Sequence, residues 1–195
     1  EPGTYQSQQN GTRCEACGVG TFTAATGQIG CVVCSAGTFQ NSSSMSECTQ
    51  CRPGRYSDSG ATVCTDCATG RWQDSTGKAE CKDCPAGTFE AGQGSSQCEP
   101  CPLGSFQSSP AQTSCLPCSA GWYAKATVSL QCSPCATGHF SNTSGASHCS
   151  LCPLHTKGAF SNATTCTRCL WEKGEFQDRE GQFECQTCGA GLYYR

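Results

Sequence analysis

A small, disulfide-rich fold of tandem hairpins and loops, drawn out into an elongated rod with almost no helix, is expected from three features of this chain. Cysteine supplies 22 of its 195 residues, a share that marks a disulfide scaffold. Leu, Ile, Val and Phe together supply only 21, about half of what an ordinary hydrophobic core draws on. The cysteines also form eleven Cys-x-x-Cys pairs, at 14/17, 31/34, 48/51, 64/67, 81/84, 98/101, 115/118, 132/135, 149/152, 166/169 and 185/188. The pairs recur every 17 residues, with one step of 16 and a last step of 19. Repetition at a fixed period means that each unit buries its surfaces on its neighbours.

Within each period the elements follow in a fixed order. Three residues after the second cysteine comes glycine, and two later an aromatic: Gly20 and Phe22, Gly37 and Phe39, Gly54 and Tyr56, and so on to Gly138 and Phe140. Four residues before the next cysteine a turn glycine is common, as at Gly27, Gly60, Gly77, Gly94, Gly145 and Gly181. Each repeat therefore predicts a turn, a short strand carrying the aromatic, a polar turn and a return to cysteine. Each aromatic is expected to pack near its own cysteine bridge.

Two repeats deviate. After Cys152 the glycine place holds His155, and Gly158 with Phe160 come three residues late; after Cys169, Gly174 with Phe176 come two late. A local kink or a lateral contact is expected there, a tolerated loop insertion being the plainer alternative. At the ends, Gly3 and Tyr5 sit as if a cysteine preceded Glu1, and Cys188, Gly191 and Tyr193 open a further repeat. Residues 1–195 therefore read as one continuous array of about eleven repeats, cut at both ends from a longer chain.

Composition excludes several classes. A formal net charge of −3 with 14 % charged residues argues against a nucleic-acid partner. No apolar run approaches the length of a membrane span, and no signal peptide is visible.

Three chemistries use Cys-x-x-Cys. A redox pair sits at a helix start, and eleven copies without a helix signal argue against it. Zinc is a remote alternative: the spacing suits four-cysteine sites, but the odd number of pairs and the few basic residues do not. Structural disulfides are expected, in keeping with four Asn-x-Ser/Thr sequons at Asn10, Asn41, Asn142 and Asn162, which matter only in the secretory pathway. Two bridge patterns respect the period. A crossed one joins whole pairs and strands one of the eleven. A sequential one treats every repeat alike, with Cys17–Cys31, Cys34–Cys48, Cys51–Cys64, Cys67–Cys81, Cys84–Cys98, Cys101–Cys115, Cys118–Cys132, Cys135–Cys149, Cys152–Cys166 and Cys169–Cys185, leaving Cys14 and Cys188 to flanking chain. Parity favours the sequential pattern.

Candidate active-site groups are few. His139, His148 and His155 lie on successive repeats without carboxylate company, which reads as loop histidine and not as a metal site. Asp58-Ser-Gly60 and Asp74-Ser-Thr-Gly77 are ordinary turn chemistry. The cluster from Glu172 to Glu180 reads as a solvated face. No nucleophile motif or phosphate loop appears, so no catalysis, cofactor or metal is expected.

The run Cys84-Pro-Ala-Gly-Thr-Phe89, eight residues, then Cys98-x-x-Cys101 resembles the ephrin-receptor-like cysteine-rich repeat. It is also similar to the first module of tumour-necrosis-factor-receptor cysteine-rich domains, although those carry additional cysteines between the pairs. The resemblance implies an extracellular disulfide ladder and supports the sequential bridge within each loop. Long arrays of this repeat look like those of large surface and ciliary proteins, flagellar-hair (mastigoneme) proteins among them. The expected function is therefore a structural segment of an extracellular or cell-surface glycoprotein, a rod for filament assembly or spacing. Its expected partners are copies of itself or neighbouring surface proteins, with N-linked and O-linked glycans. The alternative is the ectodomain stalk of a receptor or adhesion protein.

Overall fold

The computed structural model describes residues 1–8 and 11–189. Its regular structure consists of two-residue strands paired into two-stranded antiparallel sheets, plus one 3-10 turn at Trp171–Lys173. The hairpins follow the repeat. Thr21–Phe22 pairs with Val32–Val33, Thr38–Phe39 with Thr49–Gln50, and Arg55–Tyr56 with Thr65–Asp66. One strand thus carries the aromatic and its partner is the x-x of the next Cys-x-x-Cys. Strands this short have no independent stability, so each hairpin depends on what lies above and below it.

The chain divides into two compact units, one of residues 1–85, 89–99 and 110–113, the other of 86–88, 100–109 and the chain from Ser114 onward. The same rules hold inside each. The glycine of a repeat donates its N–H to the carbonyl of the residue after the aromatic in the next repeat, as Gly20 does to Gln40 (2.8 Å) and Gly104 to Ala124 (2.8 Å). The next repeat's second cysteine donates back to the glycine carbonyl, as Cys34 does to Gly20 (2.9 Å). The turn residue donates to the second cysteine one repeat earlier, as Gly60 does to Cys34 (2.8 Å) and Gly145 to Cys118 (2.7 Å). Backbone groups that a two-residue strand leaves open are satisfied between repeats.

The glycines of the Cys-x-x-Gly segment are required twice over. Gly37 has φ +84°, which disfavours any β-carbon, and such a carbon would stand 2.1 Å from the carbonyl oxygen of Gly77, two repeats on. The same approach recurs nine times, from Gly3 against Ser44 to Gly138 against Gly181. Each of these nine repeats is therefore seated on the next two.

The core differs from the expected one of aromatics on disulfides. Phe22, Phe39, Tyr56, Trp72 and the other strand aromatics are half-buried. The deepest side chains are second cysteines and the residue following most of the aromatics: Thr23, Gln40, Ser57, Gln73, Gln107, Ser141 and Gln177 are all at most 6 % exposed, while Gln6 and Glu90 are half-buried. The strand's alternation explains this. Phe39 lies beside the hairpin, while Gln40 turns inward between repeats.

Those buried amides are satisfied. Gln73 Nε2 donates to Glu80 O (2.8 Å) and its Oε1 accepts from Ser75 N–H (3.2 Å). Gln40 makes the same clasp with Glu47 O and Ser42 N–H, Gln107 with Ser114 O and Ser109 N–H, and Gln177 with Glu184 O and Asp178 N–H. Of the short residues, Ser57 Oγ donates to Thr38 O of the preceding hairpin (3.0 Å), whereas Ser141 Oγ donates to Thr143 O in its own loop (3.1 Å). A polar core of this kind is stable because its inward amides and hydroxyls are hydrogen-bonded; alone among the described buried side-chain polar atoms, Trp72 Nε1 has no partner.

Candidate functional site

The ten loops of the sequential scheme, from Cys17–Cys31 to Cys169–Cys185, are each closed by a disulfide in the structure. The bridged Cα atoms stand 5.7 to 5.9 Å apart, inside the usual span for a bridge. Cys14 is exposed and Cys188 half-buried, and neither is bridged. Closing a loop of this length is worth about 3 kcal/mol in the chain-entropy model, which substitutes for apolar burial that this composition cannot supply.

The two deviating repeats resolve differently. In the Cys169 repeat the two-residue lengthening is taken up by the three-residue 3-10 turn Trp171–Lys173, which Gly174 ends in the left-handed region. Glu175–Phe176 then pairs with Gln186–Thr187 in the ordinary hairpin register. The Cys152 repeat is not delayed as the spacing of Gly158 and Phe160 predicts. His155 stands in the glycine place with φ 64°, and Thr156–Lys157 pairs with Thr167–Arg168. Lys157 thus takes the aromatic's place, and Gly158 fills the buried one, accepting from Gly138 N–H (2.9 Å). Phe160, displaced from the hairpin, is 78 % exposed. Hydrogen-bond register with the neighbouring repeats, not the Gly-x-aromatic spelling, sets the alignment.

These two repeats build a cleft of about 570 Å³, lined by Leu154, His155, Arg168, Trp171, Phe176 and Asp178 among others. The Trp171 ring at its edge is 79 % exposed. In the nine earlier repeats the glycine equivalent to His155 is covered by a turn two repeats on.

The other candidate residues are dispersed. His139 Nδ1 faces Thr137 O (3.2 Å) and His148 Nδ1 faces Ser147 Oγ (3.1 Å). Among the described residues no group of three or more His, Cys, Asp or Glu is gathered as a metal site. Gly60 and Gly77 are left-handed turn residues, and Asp74 Oδ1 accepts from Lys82 Nζ (3.0 Å) and Ser75 Oγ (3.0 Å). These bonds hold the Asp74 carboxyl below the ordinary carboxylate range, the Lys82 bond being the larger cause. Arg55 and Arg71 pair across their hairpins with Asp66 (2.6 Å) and Asp83 (2.7 Å).

Of the sequons, Asn41 and Asn142 occupy one equivalent place, directly after the buried residues Gln40 and Ser141, and both are exposed. Asn162 does not share that place, because Phe160 is not its repeat's hairpin residue. It is instead the left-handed turn residue (φ 58°), with its carbonyl against Gly121. Asn10, Gly191 and Tyr193 lie outside the described residues.

Two features were missed from the sequence: the inward residue after each aromatic and the seat two repeats away. The first had a signal, since Gln, Ser or Thr follows the aromatic in most repeats.

Residues 54–97, 87–130 and 121–169 each match the family described as tyrosine-protein kinase ephrin type A/B receptor-like. The chain belongs to the ephrin-receptor-like cysteine-rich family. Each matched stretch contains one complete seat, Gly54 on Gly94, Gly87 on Val128 and Gly121 on Asn162, so the family's unit coincides with the physical one. No curated protein matches the chain at a significant level. Ten disulfides require an oxidising environment, and with the family they point to the cell exterior or its surface. No helix among the described residues is long and apolar enough to cross a membrane.

Proposed function

We propose that this segment is a non-enzymatic structural spacer in an extracellular or cell-surface glycoprotein, needing no metal or cofactor. The observation that carries the reading is the bonding pattern: the eight repeats that begin at Cys17 through Cys135 are each closed by their own bridge and seated on the following two. Such near-neighbour order transmits position along an array of any length. The hairpin faces and loops are left for lateral protein contacts, in self-association within a filament or with neighbouring surface proteins, including those of a cilium. Asn41, Asn142, Asn162 and Asn10 are its glycan acceptors, with Ser and Thr of the polar loops available for O-linked sugars.

The cleft beside Trp171 favours a second reading, the ectodomain stalk of a receptor or adhesion protein with one lateral contact site. Electron microscopy of the native full-length parent protein separates the two. Ordered fibres with an axial repeat support the filament component. Isolated molecules ending in a globular head or a membrane stub sink it and support the stalk.

A further inference from the structure

Ten turn residues lie in the left-handed region, and where they are not glycine they are Ser44, Ala111, Asn162 and, once, a β-branched residue, Val128 (φ 63°). Left-handed backbone is a genuine outlier for such a side chain. Three further observations converge on the same loop. The N–H of Val128 reaches Cys101 O at 3.3 Å, whereas the equivalent bonds at Ser44, Gly60, Gly77, Gly94, Ala111, Gly145, Asn162 and Gly181 span 2.7 to 2.9 Å. The carbonyl of Val128 stands 2.7 Å from the β-carbon position of Gly87, against 1.9 to 2.4 Å in the other eight seats, and Val128 Cγ1 is equally near. The side chain wedges the turn off its seat. The inward residue of this repeat is Ala124, 4 % exposed, which has no amide to clasp its own loop as Gln73 and Gln107 do.

We propose that loop 124–131 is the array's point of local opening and, because it holds Lys125, its site of proteolytic nicking by trypsin-like serine proteases. Local unfolding exposes backbone to a protease in proportion to the open population. Water added across the Lys125–Ala126 bond leaves a carboxylate on Lys125 and an amine on Ala126. The Cys118–Cys132 bridge spans the cut, so the two pieces stay joined until the bridge is reduced. A backbone scission in this loop is a break that the array survives.

The chain contains its own control. Lys78 directly follows Gly77 in the Cys67 repeat, is likewise exposed, and belongs to a loop clasped by Gln73. Limited trypsin digestion of the intact oxidised protein, followed by mass spectrometry with and without reductant, should show cleavage after Lys125 about tenfold faster than after Lys78. Fragments should separate only on reduction. Val128→Gly should slow the Lys125 cut to the Lys78 rate. Equal rates at the two lysines, or no change on Val128→Gly, overturn the proposal. Amide exchange on the unmodified protein gives an independent readout: the Val128 N–H should exchange faster than that of Gly145, and equal protection also overturns it.

Discussion

Gly37 rests against the carbonyl of Gly77, forty residues further along the chain, with room for a hydrogen and nothing larger. Gly27 also has a positive φ, but a β-carbon there would meet nothing within 4 Å. The pair separates backbone conformation from close approach. Gly27→Ala should cost only the left-handed penalty, about 1 kcal/mol. Gly37→Ala adds overpacking against backbone that cannot rotate away, about 1–3 kcal/mol more. Thermal unfolding of the oxidised variants should rank them in that order, and equal losses would refute the seat.

The buried amides should matter as much as any apolar group here. Gln73→Ala removes the amide that bonds Glu80 O and Ser75 N–H, a loss of about 1 kcal/mol for each hydrogen bond. Amide exchange at Ser75 should rise in the variant.

The hairpin period, the paucity of helix and the turn glycines were legible because they follow from local backbone rules. Gly60 and Gly77 need their φ wherever they stand. The aromatic's rank in the core was misjudged because periodicity says which residues share a face, not which face the next repeat covers. Gln40 and Phe39 alternate correctly, and only the stacking of the following hairpin buries the glutamine. The Cys152 repeat was misaligned for a related reason: Lys157 and Gly158 hold places set by hydrogen bonds to Gly138 and Gln182, which are invisible in a scan for aromatics. The cleft needed Trp171 and Leu154 together, from repeats that the sequence marks only as irregular.

Asp74 offers a test by pH. Its carboxyl is lowered by the Lys82 and Ser75 bonds, and Lys82 also lies 4.8 Å from the Trp72 ring centre. A group whose folded value is lowered stabilises the fold above its unfolded value and loses that contribution as pH falls through the folded one. The effect therefore disappears on the acid side, below the ordinary carboxylate range. Carboxyl-detected NMR titration should show the Asp74 midpoint rising toward the ordinary value in Lys82→Met. Because the pair is exposed, added salt should shrink the difference in the parent. An unchanged midpoint in the variant would rule the ion pair out as the cause.

The bridges should act locally. Replacing Cys84 and Cys98 together by Ala opens one loop and should lower stability by about 3 kcal/mol. That loop's turn, Gly94, seats on Gly54 and donates to Cys67 O (2.8 Å), so loosening should reach the two repeats before it. Amide protection should fall at Gly94 and at Gly70, whose N–H donates to Glu90 O (2.8 Å). It should hold at Gly20 and at Gly145, whose partners lie in other loops. Loss of protection throughout the chain would mean that the repeats fold as a single cooperative block, and the nearest-neighbour account of this array would be wrong.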